Sequence, residues 1–202
     1  MKTILSKSVL SAALVSASKE GVRQHLNTVL IEALGEMYRA VSTDGHRLTV
    51  ISGSLSEAVD GFAVSIPRET VELAVKTSKG LDGISLEHEN DKWLLANVPF
   101  APCETQFPDY CRVLSGVFSA SGSIHAIAPK YLLDAEKQAI LLTGKKTPHL
   151  SISYIPLDGK ALIRVPLDVG SYASVVMATR NWTCGDLMTA PQEFQTRLVD
   201  AT

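Results

Sequence analysis

Three stretches of the chain can be written one above another: Ile4-Leu5-Ser6-Lys7-Ser8-Val9-Leu10, Ser65-Ile66-Pro67-Arg68-Glu69-Thr70-Val71 and Ile127-Ala128-Pro129-Lys130-Tyr131-Leu132-Leu133. Each passes from a short apolar strand through a start signal and a basic residue into a segment of helical spacing. They recur about every 60 residues, and a fixed period of that size marks one structural unit used several times.

The start signals have a physical sense. Ser6 can cap orphan amides, and Pro67 and Pro129 suit a first helical position. Behind them, apolar residues fall at helical intervals: Val9, Leu10, Ala13, Leu14 and Ala17, then Val71, Ala74 and Val75, then Leu132, Leu133, Ala139 and Ile140. Gly21, Gly80 and Gly144 end the three segments.

Strand signals follow each helix. In the first unit, Leu26 to Ile31 is apolar, Met37 to Val41 follows a turn at Gly35, and Arg47 to Ile51 follows Asp44-Gly45. In the second, Ile84 to His88 alternates, turns at Asn90-Asp91 and returns as Trp93 to Val98. In the third, Leu150 to Tyr154 alternates, turns at Asp158-Gly159 and returns as Leu162 to Val165, with Tyr172 to Met177 as a last strand. Asp-Gly between apolar runs is a strong hairpin signal. The expectation is an α+β fold of three β-α-β-β-β units, spanning roughly 1–59, 60–115 and 122–180. A small polar linker lies near 115–123 and a tail without period covers 181–202.

Composition narrows the function. The chain has 202 residues, 46% hydrophobic and 20% charged, with no apolar run long enough for a membrane span. Polar Ser6, Lys7 and Ser8 interrupt any signal-peptide core, and Cys103, Cys111 and Cys184 show no CxxC spacing, so a cytoplasmic setting with reduced thiols is expected. A net charge of −2 argues against indiscriminate nucleic-acid binding but leaves room for a basic surface. Ser42, Asp44 and His46 lack a nucleophile elbow, P-loop or metal-spaced cluster beside them, and the other histidines are scattered. Neither catalysis nor a cofactor or metal is expected.

Three pieces are more specific: Val22-Arg23-Gln24-His25-Leu26-Asn27, the turn Ser42-Thr43-Asp44-Gly45-His46-Arg47-Leu48, and Phe107-Pro108-Asp109-Tyr110-Cys111-Arg112-Val113-Leu114. In this order they resemble the middle domain of the bacterial β sliding clamp, the DNA polymerase III beta subunit. Tyr172 to Arg180 looks like that family's final strand. Cys111 stands where the family has a basic residue and Ala178 where it has proline. Family chains have six such units against three here, so the first domain and half of the last have no counterpart. The resemblance divides the chain into a two-unit clamp-like domain, 1–115, a half domain, 122–180, and the C-terminal tail.

The resemblance implies a DNA-clamp fold and a processivity factor that embraces duplex DNA without reading sequence. It also implies a cleft that docks short peptides of DNA polymerases or clamp-loader-type proteins. Carried over by position, the cleft would use Leu26, Thr43, Gly45, His46, Arg47 and Leu48, then Pro108 and Val113, then Val175, Met177 and Arg180. Helices face the duplex in this family, which points here to Lys7, Arg68, Lys76, Lys79, Lys130 and Lys137. A homo-oligomer, dimer or tetramer, is expected. The alternative is a half-clamp module that does not encircle DNA and instead sequesters or redirects clamp-binding proteins. In the tail, Gln195-Thr196-Arg197-Leu198-Val199 loosely resembles a clamp-binding pentapeptide.

Overall fold

The computed structural model describes residues 1–20, 23–118, 127–155, 160–167 and 170–177. Strand β1 (Lys2–Ser6) leads into helix α1 (Lys7–Ser16), as expected. Ser6 sits at the N-cap, but its hydroxyl pairs with the Ser8 hydroxyl at 2.9 Å rather than with a backbone amide. The Lys7 amide donates instead to the Asp82 carbonyl at 2.8 Å.

The two runs expected on either side of Gly35 form one strand, β2 (Thr28–Thr43). Gly35 is not a turn. It adopts φ +58 at a register shift, so the strand bends and continues. The real turn is Asp44-Gly45, after which β3 (Arg47–Pro67) returns along the full length of β2. Helix α2 (Arg68–Thr77) follows, with Pro67 at its N-cap. Next come β4 (Gly83–Glu89), β5 (Lys92–Leu95) and β6 (Val98–Phe100). Asn90 and Asp91 turn the first hairpin with positive φ. Ala96 and Asn97, also at positive φ, break what the pattern reads as one run from Trp93 to Val98.

Units one and two exchange their first strands. β1 pairs antiparallel with β4, Leu5 opposite Ile84, while the end of β3 pairs with the start of β2, Ile66 opposite Val29. The third unit supplies α4 (Pro129–Thr143), β7 (Ser151–Ile155), β8 (Lys160–Val165) and β9 (Ser171–Met177). Pro129 is the first residue of α4, and Gly144 closes it in the left-handed conformation, φ 68.

The sheets run β1-β4-β5-β6 and β2-β3-β9-β8-β7. α1 packs against both α2 and α4, and one apolar core joins these helices to the sheets through Leu10, Ala13, Val71, Ala74, Ala135, Ile31, Ile84 and Val176. Strand alternation sends Val29 and Ile31 into this core and Leu30 to the opposite face of the five-stranded sheet. There Leu30, Val41, Leu48, Val50, Leu162 and Val175 are covered by Phe107, Tyr110, Val113 and Leu114. Tyr110–Phe118 forms a helix, α3, where the sequence pattern gave only a chain exit. Its anchor is Tyr110, whose hydroxyl donates to Glu32; burial above all, and then this bond, push the phenol up to about 12.

The third unit is fastened by a buried polar network that the apolar pattern could not reveal. Gln138, 1% exposed, donates from its amide to the Ala12 carbonyl at 3.0 Å and the Ser16 hydroxyl at 2.9 Å. It accepts from the Tyr172 hydroxyl at 2.6 Å. Thr49 meets Ser16 at 2.8 Å and Ser174 at 3.2 Å. Thus α4 and β9 are tied to α1 and β3 by groups with no access to water. Arg180 and the tail segment Gln195 to Val199 lie outside the described residues.

Candidate peptide cleft and helix face

The turn between β2 and β3 is fixed by its own side chains. Asp44 Oδ1 accepts the His46 amide at 3.0 Å and the Arg47 amide at 3.1 Å. The Thr43 hydroxyl donates to the Arg47 carbonyl at 2.7 Å and accepts the Gly45 amide at 3.1 Å. Gly45 adopts φ +88, which a side chain would strain. From the third unit, the Met177 amide donates to the His46 carbonyl at 2.9 Å. The register Arg47↔Val176 and Leu48↔Val175 extends this contact along β9.

Between these elements lies a cavity of about 230 Å³ lined by Thr43, Gly45, His46, Arg47, Leu48, Val113, Lys160, Val175 and Met177. Leu48 and Val175 form a buried floor, while Met177 stands 39% exposed and His46 is exposed. The volume is below the roughly 300 Å³ of a small-molecule pocket, so it suits one or two apolar side chains. Met gives such a surface an adaptable wall.

Eight of the expected cleft residues meet here. Leu26 is buried beneath the turn, 3.7 Å from the position a Cβ on Gly45 would take. Pro108 lines a separate cavity of about 560 Å³ with Cys103, Tyr110 and Cys111. Arg47 reaches the cleft, but its guanidinium turns to the helices and is not a rim charge. Lys160 is an addition that pattern reading missed; only the β8–β9 register, Lys160 opposite Met177, places it.

The helix face differs from expectation at two positions. Arg68 is not available to a phosphate. Its Nη1 donates to the Leu14 and Ala17 carbonyls, each at 2.7 Å, and its Nε pairs with Glu72 at 2.8 Å. It therefore neutralises the carbonyl end of α1. Lys7 donates to the Ser78 carbonyl at 2.7 Å, at the end of α2. Both are first helical residues, whereas Lys130 is the second residue of α4, one step out of phase. That step leaves Lys130 exposed, 4.8 Å over the Tyr131 ring. Lys76, Lys79 and Lys137 are exposed as well. Among the described residues no cluster of His, Cys, Asp or Glu could hold a metal ion, and no helix is long and apolar enough to cross a membrane.

A helix row backed by two antiparallel sheets, with units lending one another their first strands, is the DNA-clamp type of fold. The crystal structure of the DNA polymerase sliding clamp from Pseudomonas aeruginosa with ligand matches with a TM-score of 0.69 at 17% identity, over 89% of this chain and 66% of that one. The Bacillus subtilis sliding clamp matches with a TM-score of 0.68 at 15% identity, over 90% of this chain and 65% of that one. Residues 1–92 match the family described as DNA polymerase III beta subunit, central domain. The beta sliding clamp of Escherichia coli (strain K12) is 32% identical over 113 residues, 54% of this chain and 31% of that clamp. The beta sliding clamp of Rickettsia bellii (strain RML369-C) is 29% identical over 163 residues, 76% of this chain and 41% of that clamp. The chain is thus similar in sequence to the bacterial β sliding clamps, and its first 92 residues to their central domain. It spans about a third of the length of the curated relatives it matches.

Proposed function

We propose that this protein is a clamp-like, non-enzymatic replication factor that docks short peptides of DNA polymerases or clamp-loader-type proteins in the cleft between its first and third units. The observation that carries this reading is the cavity itself. Residues far apart in sequence, Thr43 to Leu48, Val113, and Val175 with Met177, converge on one apolar hollow. Interface anchors concentrate in such sites, walled by apolar groups and rimmed by polar ones. The division into a two-unit body, 1–115, and a half domain, 122–180, belongs to this proposal, and the strand exchange between units one and two supports it.

A fluorescein-labelled pentapeptide that begins with Gln and ends in Leu-Phe tests the cleft by fluorescence polarisation. Saturable binding is expected, and Met177→Ala should weaken it by about 1–2 kcal/mol. No saturable binding at high micromolar protein would overturn the reading.

Two further parts complete the proposal. The exposed lysines of the helix row face duplex DNA without reading its sequence. The chain also assembles with copies of itself as a dimer or tetramer. In support, β7 ends the five-stranded sheet and among the described residues pairs only with β8, which leaves a strand edge to cover. Sedimentation equilibrium at tens of micromolar should show a dimer or larger species. A strict monomer would remove the assembly and leave the non-encircling module that sequesters clamp-binding proteins.

A further inference from the structure

His46 and Arg47 line two hollows at once. One is the apolar cleft; the other is a groove of about 690 Å³ on the helix side, also lined by Lys19, Lys130 and Lys137. The wall between them is the Arg47 side chain, 10% exposed. Its Nη1 donates to Asp134 Oδ2, and its Nη2 donates to the Val15 carbonyl of α1 at 2.6 Å. Its Nε lies 3.1 Å from Asp44 Oδ2, an ion-pair contact without hydrogen-bond alignment. The guanidinium carbon stands 5.3 Å from the centre of the Tyr131 ring. The planar charged fork is therefore held on one face by an aromatic ring and at its edge by a carboxylate, and both come from α4.

Backbone contacts carry this anchoring to the cleft. Arg47 follows Gly45 and His46 directly, its carbonyl accepts the Thr43 hydroxyl, and the neighbouring His46 carbonyl accepts the Met177 amide. A shift of Arg47 thus moves the turn, and with it the contact that sets Met177 beside His46. A binding site depends on such supporting groups as well as on the residues that touch the ligand.

We propose that Asp134 is a positioning residue for the cleft: from the third unit it fixes Arg47, and through Arg47 it holds the turn against β9. The proposal rests on the peptide-cleft reading above for its functional consequence, but not for its mechanics. Asp134 does not itself line the cleft and reaches it only through its bond to Arg47, so its effect on binding passes through that side chain.

The test uses the full chain, Asp134→Ala and Asp134→Glu, with two readouts. The first is affinity for the labelled Gln…Leu-Phe pentapeptide, measured where circular dichroism shows each variant fully folded. Asp134→Ala should weaken binding about five-fold, the scale of one coupled contact, and Asp134→Glu should restore it to within about two-fold of wild type. The second needs no peptide: hydrogen exchange of the Met177 amide should accelerate about ten-fold in Asp134→Ala and return in Asp134→Glu. Unchanged affinity together with unchanged exchange in Asp134→Ala overturns the proposal, as does a loss that Glu fails to restore. If wild type itself does not bind the peptide, the cleft reading falls, and the exchange readout alone still decides whether Asp134 positions the turn. Should Asp134→Ala not fold, Asp134→Asn takes its place under the same criteria.

Discussion

Replacing Gln138 with alanine is expected to destabilise the fold by about 3 kcal/mol, a large share of the stability of an ordinary domain. The side chain is 1% exposed and serves both as donor and as acceptor. Its loss opens a gap and removes one partner each from the Tyr172 hydroxyl, the Ala12 carbonyl and the Ser16 hydroxyl. Breaking several buried hydrogen bonds and opening a cavity at once is costly, whereas an exposed residue of the same helix should change stability by less than about 0.5 kcal/mol. Tyr172→Phe removes one member of the network and should have a smaller effect. Urea denaturation followed by circular dichroism measures both. A cost below about 1 kcal/mol for Gln138→Ala would mean that the third unit is not locked to the first through these groups.

The second large effect concerns DNA. Reversing Lys76, Lys79, Lys130 and Lys137 together to glutamate should abolish retention on duplex DNA and leave folding intact, because all four side chains are exposed. Duplex binding that rests on phosphate neutralisation weakens steeply with salt, and each lysine that meets a phosphate contributes about one to the slope of log affinity against log salt. Arg68→Ala is the contrasting control. Its guanidinium is spent on the Leu14 and Ala17 carbonyls and on Glu72, so it should cost about 2 kcal/mol of stability and leave the salt dependence unchanged. Undiminished retention in the fourfold variant would show that the helix row does not face the duplex.

The contrast between Arg68 and Lys130 shows how far the sequence could be read. The repeat, the hairpins at Asp44-Gly45 and Asn90-Asp91, and the three helices α1, α2 and α4 were legible because each depends on local chemistry: positive φ at turns, proline at helix starts, apolar residues at fixed spacing. Basic residues next to each start looked equivalent in one dimension. They are not, because α4 begins one residue earlier relative to its basic residue. On a helix one residue is a rotation of about 100°, enough to carry Lys130 from the anchored direction to the exposed one.

Other features depended on tertiary context. Gly35 reads as a turn but serves as a bend inside β2, since the pairing partner decides whether a glycine reverses a strand or only shifts its register. Helix α3 is short, its residues Tyr110, Val113 and Leu114 lie at helical spacing, and it covers the outer face of the sheet where the motif reads only as an exit from the second unit. Leu133 and Ile140, which share the helical spacing of the apolar residues of α4, are 64% and 38% exposed, while the polar Gln138 takes a core position. In the cleft, the family resemblance supplied Thr43 to Leu48, Val113, Val175 and Met177. It gave no sign that Arg47 would point to α4 or that Lys160 would stand beside Met177.

The central claim is that the three units together form a peptide site. Its most direct test is amide chemical-shift mapping of the full chain during titration with the unlabelled Gln…Leu-Phe pentapeptide. Saturating shifts are expected at Thr43, Gly45, Leu48, Val113, Val175 and Met177, all around one cavity and drawn from all three units. Shifts confined to other surfaces, or none at high micromolar peptide, would contradict the account.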